Sequence, residues 1–246
     1  MTGTGNYSYN FTMETKILLF TAASIAFFHT LTGPDHYIPF IAMAKARNWS
    51  ALKTAVITVL CGMGHVLSSV LLGFLGIYLG AEITRLTNIE SFRGGIAGWL
   101  LIIFGSFYFI WGIKKAYAER THLHEHAHED GTVHAHGHSH LSGHVHSHGT
   151  GKANITPWVL FTIFVFGPCE PLIPLVMYPA ASRNIPALLL VTGVFTLITI
   201  STMLVMVFVS LWGIKLVSFS KAERYSHAMA GFAVLTCGFA VRFLGL

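Results

Sequence analysis

Charge is what this chain has least of. Only 10% of its 246 residues are Asp, Glu, Lys or Arg, where a soluble domain carries about 25%. A deficit that large leaves much of the chain with no water to face. Cysteine is also scarce: Cys61, Cys169 and Cys237 all fall in apolar stretches. An odd, dispersed set excludes a disulfide framework, and Cys61 and Cys237 are expected to be small packing residues. The first dozen residues lack the basic start of a cleaved signal peptide, so the first apolar run is expected to be retained. There is no nucleophile elbow, no His-Glu-x-x-His helix and no phosphate loop, so the chain is not expected to be an enzyme. Nor is there a nucleic-acid motif, although the formal charge is +5. The basic residues stand between apolar runs and are expected to anchor topology.

What is present is 53% hydrophobic residues, gathered into six runs: 15–44, 52–80, 94–113, 156–182, 186–213 and 226–245. A membrane-crossing helix needs about 20 apolar residues. The expected fold is therefore an all-α membrane protein with six transmembrane helices. Gly33-Pro34 interrupts the first run. Gly167-Pro168, followed by Pro171 and Pro174, interrupts the fourth. Such breaks are tolerated at membrane depth where protein or a wet cavity satisfies the freed backbone.

The two broken runs resemble each other. Gly33-Pro34-Asp35-His36 is matched by Gly167-Pro168-Cys169-Glu170, Ile38-Pro39 by Ile173-Pro174, and Arg47-Asn48 by Arg183-Asn184. The offset is nearly constant, slipping by one residue twice. This predicts two three-helix repeats, residues 1–113 and 156–246, separated by a polar segment at 114–155. Because three is odd, the second repeat is inverted, and substrate is expected near mid-membrane at the breaks. Ten Lys and Arg fall on the side of the 114–155 segment and five on the side of the termini. The first side is then cytoplasmic and the termini lie outside, in a plasma or inner membrane or its organelle equivalent.

Of ten acidic residues, only Asp35 and Glu170 fall inside the six runs. An ionisable group in hydrocarbon is expensive and is a functional candidate. These two occupy the matched breaks, and His29, His36, His65 and Cys169 accompany them. Nitrogen and oxygen donors together suit Ni, Co, Zn or Fe(II), whereas an all-oxygen site would suit Mg or Ca. The expected metal ligands are His29, Asp35, His36, His65, Cys169 and Glu170. The bland alternatives are a bridging His65, Asp35 as an N-cap and Cys169 as packing.

Eleven histidines crowd the polar segment: His122, His124, His126, His128, His134, His136, His138, His140, His144, His146 and His148. With no hydrophobic period, it is expected to be a disordered tether without a core. Imidazoles on a tether give loose, exchangeable metal binding.

His29-Thr30-Leu31-Thr32-Gly33-Pro34-Asp35-His36 resembles the signature of the nickel/cobalt transporter family. It is especially similar to that family's Gly-Pro-Asp-His branch, related to urease-accessory-type membrane proteins within a wider lysine-exporter-like superfamily. Gly167-Pro168-Cys169-Glu170-Pro171 is similar to the second half of that branch, and the likeness extends over all six runs. It implies divalent-metal transport with His29, Asp35 and His36 as ligands. The five residues between His29 and Asp35, where uptake members usually have four, set the chain apart from uptake. The His-rich segment is similar to that of efflux members.

The expected function is efflux of a divalent transition metal, Ni or Co before Zn or Fe, by alternating access with proton coupling. The metal is the substrate, no organic cofactor is expected, and the partners are the ion and the bilayer. The sequence leaves the oligomeric state open. Export of a small anion would need a basic group at mid-membrane, and thiol electron transfer would need a Cys in each half. A metal sensor or maturation protein is the remaining alternative.

Overall fold

The computed structural model describes residues 13–80, 82–118, 123–127, 133–137, 155–182, 184–216 and 223–245. The fold is helical. α1 (Met13–Thr32) leads through a 3-10 turn at Pro34–His36 into α2 (Ile38–Ala46). α3 (Ala51–Tyr78) and α4 (Ile83–Ala118) follow. After the polar segment come α5 (Thr156–Phe166), α6 (Leu172–Ala181), α7 (Ile185–Leu216) and α8 (Ser226–Phe239), the last continuing into a π turn at Ala240–Leu244. Within the polar segment, expected to be a coreless tether, β1 (Leu123–Ala127) pairs antiparallel with β2 (Val133–Gly137).

Among the described residues, five helices are long and apolar enough to cross a membrane: α1, α3, α4, α7 and the α8 segment. The fourth expected run is two short helices, α5 with 11 residues and α6 with 10. Neither reaches the about 20 residues a crossing needs. The first expected run is likewise two helices around a turn, with Gly33 and Pro34 at the junction. The third run is longer than expected, 36 residues instead of the stretch 94–113. Large apolar side chains such as Phe20, Phe28, Leu71, Phe107, Leu197 and Trp212 are exposed on the helix faces. In water such a surface would aggregate or bind, whereas lipid tails are its natural solvent.

Small residues let the helices meet closely. α4 and α8 run antiparallel with glycines at seven-residue steps: Gly98, Gly105 and Gly112 on one, Gly231 and Gly238 on the other. A Cβ on Gly105 would lie 2.5 Å from the backbone N of Leu235, and one on Gly238 would lie 2.7 Å from that of Ile102. The two backbones are in contact, as expected where association in lipid depends on van der Waals packing.

Two apolar clusters fill the interior. One contains Phe40, Met43, Ile57, Leu101, Leu160, Phe164 and Met203. The other contains Ala22, Ala26, Val66, Leu172, Val191 and Phe195. By chain direction the first lies in the half nearer the polar segment, and the second in the half where α1 begins and α8 ends. The ionisable groups sit between them.

Candidate metal centre

Gly33 is where α1 stops. Its N–H still donates to the His29 carbonyl at 3.0 Å, but Pro34 has no N–H to continue the ladder. The chain makes one tight turn, with the His36 N–H on the Gly33 carbonyl at 3.1 Å and the Tyr37 N–H on Pro34 at 3.3 Å, and restarts as α2. That turn folds His36 back against the last turn of α1. The His29 and His36 ring centroids are 4.9 Å apart, edge to face. His65, from the middle of α3, approaches from the other side, with its centroid 5.0 Å from that of His36.

One ring nitrogen from each of His29, His36 and His65 lies within 4.8 Å of the other two. The Nε2 atoms of all three rings are buried and have no hydrogen-bond partner. A buried polar atom without a partner costs roughly 1–3 kcal/mol, so three at one point call for a common occupant.

Tautomers follow from the partners. His36 Nδ1 faces two groups that only accept, the Gly33 carbonyl at 3.2 Å and the Asp35 carboxylate at 3.1 Å. Nδ1 therefore carries the proton, and Nε2 presents its lone pair to the gap. His65 Nε2 is likewise buried and without a partner. A carboxylate or carbonyl behind the imidazole, with the opposite nitrogen forward, is the usual support of a metal-binding histidine. Zn–N bonds of about 2.0–2.1 Å in tetrahedral geometry put the nitrogens about 3.3 Å apart. From 4.8 Å, small ring rotations close that gap.

Both Gly-Pro glycines are spacers for these rings. A Cβ on Gly33 would lie 2.6 Å from His36 Nδ1, and one on Gly167 would lie 2.8 Å from His65 Nδ1. Their φ values, -86° and -58°, suit any residue, so the requirement is space and not backbone freedom.

The other expected ligands stand elsewhere. Asp35 binds through His36 and sits behind the ring. Cys169 is fully buried in the apolar cluster with Ala22, Val66 and Leu172, and does not join the histidines. Glu170 is exposed and lines a cavity whose far wall is His29. The loop histidines lie outside the described residues, except for the backbone of His124, His126, His134 and His136 in β1 and β2.

One acid was missed. Glu90 is inside α4 and completely buried, so Asp35 and Glu170 are not the only acids in the helical interior. Its carboxylate accepts from Arg93 Nη1, from Ser69 Oγ at 3.1 Å and from the Cys169 N–H at 3.0 Å. Arg93 also donates to Ser68 Oγ at 2.6 Å and to the Val165 carbonyl at 2.7 Å. The pair caps both sides of the Gly167-Pro168 break. Arg93 is thus an interior ion-pair partner, not the loop anchor that the topology count took it for. The signal was available: an acid three residues before an Arg on one helix face, with Ser68-Ser69 inside a neighbouring apolar run.

No protein-family model, no curated protein and no solved structure matches the chain.

Proposed function

We propose that the chain moves a divalent transition-metal ion across a membrane, seating it on His29, His36 and His65. The observation that carries this reading is the cluster of three histidines, each with a ring nitrogen within 4.8 Å of the others and each with a buried, partnerless Nε2. Three neutral imidazoles favour Ni, Co, Zn or Fe(II) over Mg or Ca. Asp35, one layer behind, offsets part of the double charge through His36. Three ligands from the protein leave a coordination position open, as suits an ion that must also leave.

The six-crossing, inverted-repeat architecture belongs to the same proposal. It is supported by which helices touch. If α1–α4 correspond to α5–α8, then α1 against α7 corresponds to α5 against α3, and α2 against α8 to α6 against α4. All four of these pairs pack together, as do the self-related pairs α4 with α8 and α3 with α7. A two-fold axis in the membrane plane generates that pattern. In this arrangement α5 and α6 form one broken crossing, and both termini lie opposite the His-rich segment. With that segment in the cytoplasm, its imidazoles concentrate ions at the inner mouth, and the direction is efflux. Protons compete with the metal for the same lone pairs, which couples transport to pH.

Anion export is the weaker reading. Of the cations near the centre among the described residues, Arg93 spends both terminal nitrogens on Glu90, two serines and two carbonyls, and Arg242 is turned to the rings of Trp99 and Phe243. The terminal nitrogens of Arg93 are held inside the protein and are not offered to an anion.

The test is flux of Ni, Co, Zn and Fe(II) into proteoliposomes, with protein lacking residues 122–148 so that the loop does not dominate binding. His36→Ala and His65→Ala should each abolish flux and lower affinity in equilibrium dialysis. Unchanged flux in both variants would sink the proposal.

A further inference from the structure

The histidine centre has unlike surroundings on its two sides. On one side a cavity of about 380 Å³ reaches His29, with Thr32, Ser91, Gly95, Glu170 and Arg242 among its walls. A cleft of only about 20 Å³ touches Asp35, His36 and His65, with Leu101, Ile163 and Phe164 among its walls. Beyond it the Phe40 and Phe164 rings meet with centroids 4.6 Å apart, inside the packed cluster of Met43, Ile57, Leu160 and Met203.

Chain direction tells which side is which. Ser91 and Gly95 belong to the first half of α4, and Arg242 to the last turn after α8. Both regions lie at the end where α1 begins and α8 stops. Phe40 and Phe164 belong to α2 and α5, in the half nearer the His-rich segment. Among the described residues Glu170 is the one carboxylate on the cavity wall, and it is exposed where His29 is half-buried, so an arriving cation meets it first. Arg242 is turned to the ring faces of Trp99 and Phe243, at 5.9 and 5.7 Å.

We infer that this structure is the state in which the histidine centre opens to the side carrying the chain's two ends. Glu170 is the cation-recruiting residue of that vestibule, and the Phe40–Phe164 pair is the closed gate on the opposite side. The inference takes from the transport reading only the histidines as the ion's seat. An apolar plug has no ligand to offer a hydrated ion, and separating two packed rings is the smallest change that would open the route. Glu170, in the second break, then acts before the centre rather than within it.

The experiment is thiol labelling of the full chain in vesicles of defined orientation. The native cysteines Cys61, Cys169 and Cys237 are all buried, so the unsubstituted protein is the background. Gly95→Cys places its Cβ where nothing lies within 4 Å, and Ser91→Cys is a second reporter on the same wall. A membrane-impermeant cationic methanethiosulfonate should modify both from the side of the termini, while Leu101→Cys reacts from neither side. Glu170→Gln in the Gly95→Cys background should slow the cationic reagent about tenfold and leave an uncharged one unaffected. Labelling from the opposite side, labelling only by a lipid-soluble maleimide, or no labelling of either reporter overturns the inference. Zn²⁺ binding to the same Gly95→Cys protein by equilibrium dialysis is read separately. If labelling fails while Zn²⁺ still binds, the access route is wrong and the histidine seat stands.

Discussion

The two Gly-Pro breaks are written alike and used differently. At the first, the backbone repairs itself: a single 3-10 turn takes up the freed groups between Gly33 and Tyr37. The side chains are left for chemistry, with His36 facing the gap and Asp35 behind it. At the second, the backbone leans on another helix. Arg93 holds the carbonyls of Val165 and Gly167, and Glu90 holds the Cys169 N–H. Here Cys169 goes into the core and Glu170 to the open cavity. A break in hydrocarbon must be satisfied from somewhere. Where the local turn does it, the polar side chains are free to bind; where it does not, an ion pair is consumed in bracing.

That contrast breaks most easily at Arg93. Arg93→Leu leaves the Glu90 carboxylate buried without its counter-charge and two carbonyls short of a donor. Losing one partner of a buried pair costs about 3–5 kcal/mol, so this variant should show the largest fall in thermal stability in detergent. Removing the charge from both, as Glu90→Gln with Arg93→Gln, should recover part of the loss. If Arg93→Leu unfolds at the parent temperature, the second break is not braced in the way described. The next effect is steric. Gly33→Ala and Gly167→Ala each drive a methyl into a histidine ring, at 2.6 and 2.8 Å. Each should lower metal affinity by roughly tenfold to a hundredfold, read by equilibrium dialysis. Equal losses would mean that both breaks exist to make room for an imidazole.

The sequence carried the apolar runs, both breaks and the three histidines, because each is a local exception in a hydrophobic background. It carried less of what depends on rotation and partners. The pair Glu90 and Arg93 lowers local hydropathy and reads as the end of a span; only Ser68 and Ser69 from α3 and the broken backbone of α5 make it interior. α4 therefore begins at Ile83, well before the expected 94. Matching Asp35-His36 to Cys169-Glu170 assumed that equivalent positions point the same way. After Pro168 they do not, because the Glu90 bond to the Cys169 N–H turns that residue toward α1 and α3. The glycine steps at 98, 105 and 112, and at 231 and 238, were readable as a close helix pair and were not used.

A smaller effect is expected behind the centre. Asp35→Asn keeps the shape and an acceptor for His36 Nδ1 but removes the negative charge. Metal affinity should fall by about 10–100-fold, with less loss of stability than Arg93→Leu, because the first break is not held by this carboxylate. A fall no larger than twofold would mean that the Gly33 carbonyl alone orients His36.

The smallest change is the sharpest discriminator between the two breaks. Cys169 follows Gly167-Pro168 as Asp35 follows Gly33-Pro34, and it is completely buried in the apolar cluster that contains Ala22, Val66 and Leu172. Its contact with the polar network is through the backbone N–H, which any residue but proline provides. Cys169→Ala should therefore leave metal affinity and metal selectivity unchanged. It should cost only what a small void in an apolar cluster costs, about 1 kcal/mol. A shift in preference toward harder ions, measured by competition between Zn²⁺ and Co²⁺, would instead put the sulfur on the metal. The second break would then be a ligand site like the first.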